Sequence, residues 1–256
     1  MGADASRYAL VRDVPDSYSM CERPPGHGEA IDVDLARQQH AAYRAALEGA
    51  GLRLVRLPAD ERFPDCCFVE DTSIILGGTA IIARMGAPSR RGEERAVREV
   101  LAGRMGVLDI LPPATIDGGD VLVLGDRVYV GLGGRTNLEG CEQVREAAGE
   151  GYRVTPVPLE GVLHLKSVCT HVGGRCLLIR PGHFDISLFA DYDLVRVPGE
   201  EAYAANCLSL GDRVLVSAGY PVTRQAIERA GFCTVALEMS EFRKGQGSLT
   251  CLSKMY

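Results

Sequence analysis

Short apolar runs alternate with polar turns along the chain, and the same order recurs. Four stretches carry it: "EDTSIILGGTAIIARMGAPSRRGEERAVREVL", "DGGDVLVLGDRVYVGLGGRTNLEGCEQVREAAG", "HLKSVCTHVGGRCLLIRPGHFD" and "ANCLSLGDRVLVSAGYPVTRQAIERAG". Each opens on polar residues and passes into a short β-rich run. A tight turn follows, at Gly77-Gly78, Gly125-Asp126, Gly173-Gly174 and Gly211-Asp212. Glycine supplies the positive φ that such turns need, so each predicts a hairpin. A second β-rich run comes next, as in "TAIIAR" and "RVLVSA". Three of the four then turn helical; in "EERAVREVLAG", Ala96, Val97, Val100 and Leu101 fall on one helical face.

The two ends of the chain complete a fifth unit. "SLTCLSKMY" predicts one strand and "RYALVRDV" its partner, followed by the helix "DVDLARQQHAAYRAALEGAG". Pairing the termini would close a ring and remove exposed sheet edges. An open α/β sheet is the plainer alternative, but recurrence of one unit favours the ring. The polar leaders of the units are Glu70 with Asp71, Asp117 with Asp120, His164 with Lys166, Asn206, and Cys251. Equivalent ends of pseudo-symmetric units face the same way. The repeat therefore gathers carboxylates, a histidine and a cysteine around one axis.

Composition narrows the function classes. The 256 residues are 46% hydrophobic and 24% charged, as in a soluble globular protein. A net charge of −6 does not suit nucleic acid or an anionic membrane. No apolar run reaches the length of a bilayer span. "MGADASRYALVRDVP" lacks the features of a signal peptide; Gly2 with Ser6 fits the loose myristoylation pattern but reads as a solvated tail. The nine cysteines are odd in number and include no C-x-x-C pair, which argues against a disulfide framework and a zinc knuckle. A reducing, cytoplasmic compartment is expected.

Cys251 and His164 can serve as nucleophile and acid/base. Asp65, Glu70, Asp71 and Asp117 would put several negative charges into one pocket, and buried carboxylates need a compensating cation. No His or Cys spacing points to a metal. A planar guanidinium fits better, since carboxylates bind it with paired hydrogen bonds. Its charge would also favour the Cys251 thiolate. Arg90 and Arg135 stand apart from the acidic set and could clamp a carboxylate. A pocket negative at one end and positive at the other suits an arginine-like amino acid.

The motifs "LPADERFPDCCFVEDT", "RMGAPSRRGE", "IDGGDVL", "VGLGGRTN", "LHLKS", "AANCLSL" and "SEFRKGQGSLTCLS" resemble those of the dimethylarginine dimethylaminohydrolases, within the guanidino-group modifying (pentein) superfamily. The resemblance runs from near residue 8 to the C-terminus. It implies a five-bladed α/β propeller of ββαβ-type units, with residues 1–256 forming one catalytic domain. It implies hydrolysis of Nω-methylated L-arginines to L-citrulline and an alkylamine through a Cys251 thiouronium. Cys251 would be the nucleophile, His164 the acid/base and Asp117 its partner. Glu70 and Asp71 would hold the guanidinium, Asp65 the α-amino group, and Arg90 with Arg135 the α-carboxylate. No cofactor or metal is implied, and a monomer or homodimer is expected.

Three positions depart from the family pattern. Gln246 stands where an acidic residue is usual, five positions before Cys251. Gly245 replaces a Val or Ile and predicts a more mobile loop. Arg23, in the Pro- and Gly-rich segment "CERPPGHGE", replaces a lid leucine whose contact is made through its backbone carbonyl. Runner-up readings are an arginine deiminase-like or amidinotransferase-like enzyme and, in another class, a non-catalytic binding propeller.

Overall fold

The computed structural model describes residues 8–23 and 29–256. The Gly2–Ser6 pattern and most of the segment "RPPGHG" lie outside the described residues. Fifteen described strands form five three-stranded sheets. The chain runs through β1 (Tyr8–Arg12), α1 (Val33–Gly49), β2 (Arg53–Leu57), β3 (Ser73–Leu76), β4 (Thr79–Ile82), α2 (Glu94–Ala102) and β5 (Gly106–Asp109). It continues through β6 (Val121–Leu124), β7 (Arg127–Leu132), α3 (Leu138–Ala148), β8 (Arg153–Pro158), β9 (Cys169–Gly173), β10 (Cys176–Ile179) and β11 (Asp193–Arg196). It ends with β12 (Leu208–Leu210), β13 (Arg213–Ser217), α4 (Pro221–Arg229), β14 (Cys233–Leu237), α5 (Ser240–Lys244) and β15 (Lys254–Met255).

Each sheet has one logic. Two strands form an antiparallel hairpin, as in Ile74↔Ile81, and a third returns parallel to the second, as in Ala80↔Val107. A helix makes the return in four units, the usual form of a parallel crossover. The unit from β9 to β11 uses only a 3-10 turn at Ile186–Phe189. The predicted glycine turns hold, with φ of 53° and 81° at Gly77 and Gly78 and 66° at Gly125.

The hydrophobic core closes the ring. Alternate residues of each hairpin point to opposite faces, the period of two expected of a strand. Val121, Val128 and Val130 pack with Ile74 and Ile81 of the preceding sheet. Leu122, Leu124 and Tyr129, between them, pack with Leu177 and Ile179 of the next. Val172 and Leu178 join Val214 and Val216. Leu215 of that sheet joins Ala9 and Val11, and Leu10 joins Ala80 and Ile82. Following these clusters from sheet to sheet returns to the start, so the fold is the α/β five-unit propeller. The hairpins are buried on both faces over most of their length, which is why "VLVL" reads as an unbroken apolar run although Val123 is partly exposed. The termini seal the ring through antiparallel pairs Ala9↔Met255 and Leu10↔Lys254.

The closing strand is shorter than the sequence suggests. Cys251 is not in it but on a 3-10 turn, Leu249–Leu252, just before. Ser248 caps that turn, and its backbone N–H donates to the Cys251 Sγ at 3.4 Å. Among the described residues no helix is long and apolar enough to cross a membrane.

Candidate active site

A 3-10 turn precedes the first strand of every sheet: Val69–Thr72, Gly118–Asp120, Leu165–Ser167, Gly199–Ala205 and Leu249–Leu252. The first packs against the second and the last, the second against the third, and the third against the fourth. The polar leaders ride on these turns, so the repeat assembles them at one end of the ring axis. The glycines of "DGGD" permit the approach. A Cβ on Gly118 would lie 2.1 Å from the Glu70 carbonyl oxygen, and one on Gly119 2.5 Å from Asp71 Oδ1 and 2.9 Å from His164 Nδ1. Gly119→Ala is expected to push the imidazole and carboxylate apart and lower kcat about 10²-fold, as a misplacement of about 1 Å does. Steady-state kinetics check it; wild-type kcat would contradict this packing.

Cys251, His164, Asp71, Asp65, Arg90, Arg135 and Gly245 line one small cavity, with Glu22, Phe68, Leu163, Gln246 and Gly247. Its volume is about 20 Å³, room for about one water molecule and far less than an arginine needs. Asp117 stands behind the imidazole, with Oδ2 at 3.0 Å from His164 Nε2. The Gly86 N–H donates to Asp117 Oδ1 at 2.8 Å. Asp71 Oδ1 accepts from the Gly119 N–H at 3.0 Å and lies 3.9 Å from His164 Nδ1. Asp120 takes the Leu165 N–H at 3.0 Å and the Thr136 hydroxyl at 2.6 Å, fixing the turn that carries His164. Asn206 does the same for Cys251: its amide donates to Thr250 Oγ1 at 2.7 Å and accepts from the Thr250 N–H at 3.0 Å.

The charges follow from this packing. Burial alone would strip the proton from His164, but the carboxylates of Asp71, Asp120 and Asp117 outweigh it and raise its pKa to about 9. Burial and the charges of Asp71 and Glu70 push the Cys251 thiol to about 12. At neutral pH the pair is a neutral thiol and an imidazolium. Burial would raise Asp71, yet His164 and Arg90 hold it down at about 2. Burial raises Asp120 to about 6 and also raises Asp65, against the pull of Arg90. Donor atoms of Asp71, Asp117 and His164 lie within 4.8 Å of one another, close enough for a metal ion. Such an ion would have to replace the His164 proton and compete with Arg90 for Asp71.

Arg90 and Arg135 do not stand apart from the carboxylates, as the sequence suggests. Arg90 gives Nη1 to Asp71 Oδ2 at 2.8 Å, and Nε and Nη2 to Glu93 at 2.9–3.2 Å. Buried arginine must be neutralised, and Asp71 with Glu93 does this before any ligand arrives. Glu93, in "RRGE", is a partner beyond those named from the sequence, although its i,i+3 spacing from Arg90 is a readable signal. Arg135 gives Nη2 to Glu22 Oε2 at 2.5 Å, and its Nη1 is 3.8 Å from Asp117 Oδ2. Among the described residues Arg135 Nη1 is buried without a hydrogen-bond partner.

Glu70 is not gathered with Asp71. Its carboxylate turns to Lys166 and, at 2.8 Å, to Lys254 Nζ, and it lines a separate cavity of about 290 Å³. Two ammonium groups there compensate a buried carboxylate, the role foreseen for a guanidinium. That larger cavity lacks both Cys251 and His164, so the chemistry lies in the smaller one. Arg23 is also absent from it, and donates to the backbone oxygens of Glu29 and Ser19 at 3.2 Å. At the Gln246 loop, Gly245 has an ordinary φ of −87°, and a Cβ there would lie 2.5 Å from Tyr18 Oη. Close packing against Tyr18 leaves no room for a side chain at Gly245. The left-handed residue is Gln246, at φ 59°.

Comparison with known proteins agrees with the geometry. A family model described as "N,N dimethylarginine dimethylhydrolase, eukaryotic" matches residues 20–252. The N(G),N(G)-dimethylarginine dimethylaminohydrolase of Pseudomonas aeruginosa is 39% identical over 227 residues, 87% of this chain and 89% of that protein. A crystal structure of a dimethylarginine dimethylaminohydrolase, a histidine-to-glycine variant in adduct with S-methyl-L-thiocitrulline, superposes with a TM-score of 0.93 at 35% identity, covering 98% of this chain and 100% of that one. The P. aeruginosa enzyme as a cysteine-to-serine mutant complexed with citrulline gives 0.92 at 35% identity, covering 98% and 99%.

Proposed function

Because the chain belongs to the dimethylarginine dimethylaminohydrolase family, we propose that it hydrolyses Nω-methylated L-arginines to L-citrulline and an alkylamine. The observation that carries this reading is the shared cavity of Cys251 and His164 with Asp71, Asp65 and Arg135. Residues 1–256 act as one catalytic unit, and one ring carries the whole set, so a monomer or a homodimer has complete sites. The proposed compartment is the cytoplasm, where reducing conditions keep Cys251 a thiol.

Asp71 receives the guanidinium, Asp65 the α-ammonium and Arg135 the α-carboxylate, with Arg90 holding Asp71 in place. The substrate brings net positive charge next to Cys251. That lowers the thiol pKa from its raised value, and the thiolate forms in the complex as its proton passes to solvent, His164 keeping its own. The Ser248 N–H stabilises it. Sγ attacks the guanidinium carbon, and a tetrahedral adduct forms. The bond to the methylated nitrogen breaks as His164 delivers its proton to the departing amine. The remaining thiouronium is attacked by water, which gives its proton to the now neutral His164. The C–S bond breaks, citrulline leaves, and Cys251 regains its proton. Asp117 and Asp120 hold the imidazole and its turn throughout.

Citrulline measured from asymmetric dimethylarginine, monomethylarginine and arginine side by side tests this. Citrulline from the methylated substrates is expected. Activity on arginine alone would turn the reading to a deiminase, and none from any of the three would remove it. The pH profile adds a check. In the complex, where the thiolate has formed, the proton donor is present below the His164 pKa of about 9, so kcat falls as pH rises through about 9. A profile still rising at pH about 10 would exclude His164 as the donor.

A further inference from the structure

Arg135 is already half-satisfied by a carboxylate of the protein itself. Glu22 reaches it at 2.5 Å, accepts from the Ser89 hydroxyl with its other oxygen, and donates its backbone N–H to Asp65 Oδ2 at 3.0 Å. Burial disfavours the Glu22 charge, but Ser89 and Arg135 prevail and lower its pKa, so it meets Arg135 as an anion. The Glu22 side chain is 34% exposed against 16% for Arg135, so it can leave toward solvent while Arg135 stays. Both Glu22 and Arg135 line the cavity whose volume is about 20 Å³. With Glu22 on Arg135 Nη2, a substrate carboxylate cannot pair there unless something moves. The group that holds Arg135 by a single outward ion pair is the one that can.

We propose that Glu22 is a specificity-determining residue that occupies the place of the substrate α-carboxylate at Arg135 and is exchanged for it on binding. The proposal rests on the reading that Arg135 takes that carboxylate. The exchange swaps one carboxylate for another. Arg135 thereby gains a second bond through Nη1, which has no hydrogen-bond partner among the described residues and only Asp117 Oδ2 at 3.8 Å. A paired fork–fork contact is stronger than the single one it replaces. A guanidine without a carboxylate offers no such exchange and leaves Glu22 on Arg135. The enzyme thereby selects intact amino acids over decarboxylated ones, at the cost of apparent affinity. A site that is only fractionally competent binds more weakly by that fraction.

The test compares the wild type with Glu22→Ala and Glu22→Gln. KM for monomethylarginine and Kd for L-citrulline by calorimetry are measured, together with the inhibition constant of agmatine, which lacks the carboxylate. Removing the competitor is expected to lower KM and the citrulline Kd at least about fivefold, more for alanine than for glutamine, with the change in KM rather than kcat. The agmatine constant is expected to move less than about twofold, so discrimination against it grows. Unchanged or raised values for citrulline overturn the proposal, since Glu22 would then be idle or a ligand for the substrate. An equal fall for agmatine also overturns it, because Glu22 would be a plain obstruction. If no methylated arginine is turned over, the function reading fails, while the citrulline Kd still decides the role of Glu22. Citrulline binding to neither variant nor wild type overturns both.

Discussion

Replacing Cys251 with serine is expected to lower citrulline formation about 10⁴-fold or more, an increase of roughly 5 kcal/mol in the barrier. The size follows from the protonation states at the site. A serine hydroxyl is a far weaker acid than a thiol, so the charge of a bound guanidinium cannot ionise it. The neighbour that could act as a base is His164, which already carries a proton up to a pH of about 9. The variant keeps the fold, since the Sγ takes only the Ser248 N–H and the residue is partly exposed. Citrulline binding is expected to persist, since the substitution removes none of the charged groups lining the cavity. A colorimetric citrulline assay beside calorimetric citrulline binding checks both halves. Serine turnover within tenfold of wild type would remove Cys251 as the nucleophile.

Replacing His164 with alanine is expected to cost about 10³-fold in kcat, within the usual range for a lost acid/base group. The second half-reaction should suffer most, because no group remains to deprotonate water. Mass spectrometry after incubation with S-methyl-L-thiocitrulline should therefore find an adduct on Cys251; no adduct, with kcat near wild type, would contradict the assignment. Stability should change with pH in a defined sense. The His164 pKa is raised in the folded protein to about 9, above its ordinary 6.5. Its contribution is therefore fully present below pH about 6.5 and lost as pH rises through about 9. The Tm deficit of His164→Ala should be large at pH 6 and shrink by pH 10. Asp71, Asp117 and Asp120 lose their imidazolium in that variant, which is why the deficit is expected at all.

The fold and the roster of reactive groups are legible along the chain. Hairpin turns at Gly77-Gly78 and Gly125-Asp126 depend on local φ, and the strand faces on a period of two, so both are legible in one dimension. Recurrence then placed Asp71, Asp117, His164 and Cys251 at equivalent ends of successive units, which is sufficient to bring them to one axis. How the charges pair is settled by the folded ring alone. Glu70 and Asp71 are adjacent in the chain, yet one faces Lys166 and Lys254 and the other Arg90 and the Cys251 cavity. Lys254 lies 184 positions after Glu70, and Arg135 113 after Glu22, and no local pattern records such distances. Each buried carboxylate must find a cation, and which one it finds depends on where the closed ring leaves room. The elements follow from near-neighbour sterics and apolar periodicity, whereas the pairing at the site follows from long-range packing and from the cost of leaving any charge unmatched.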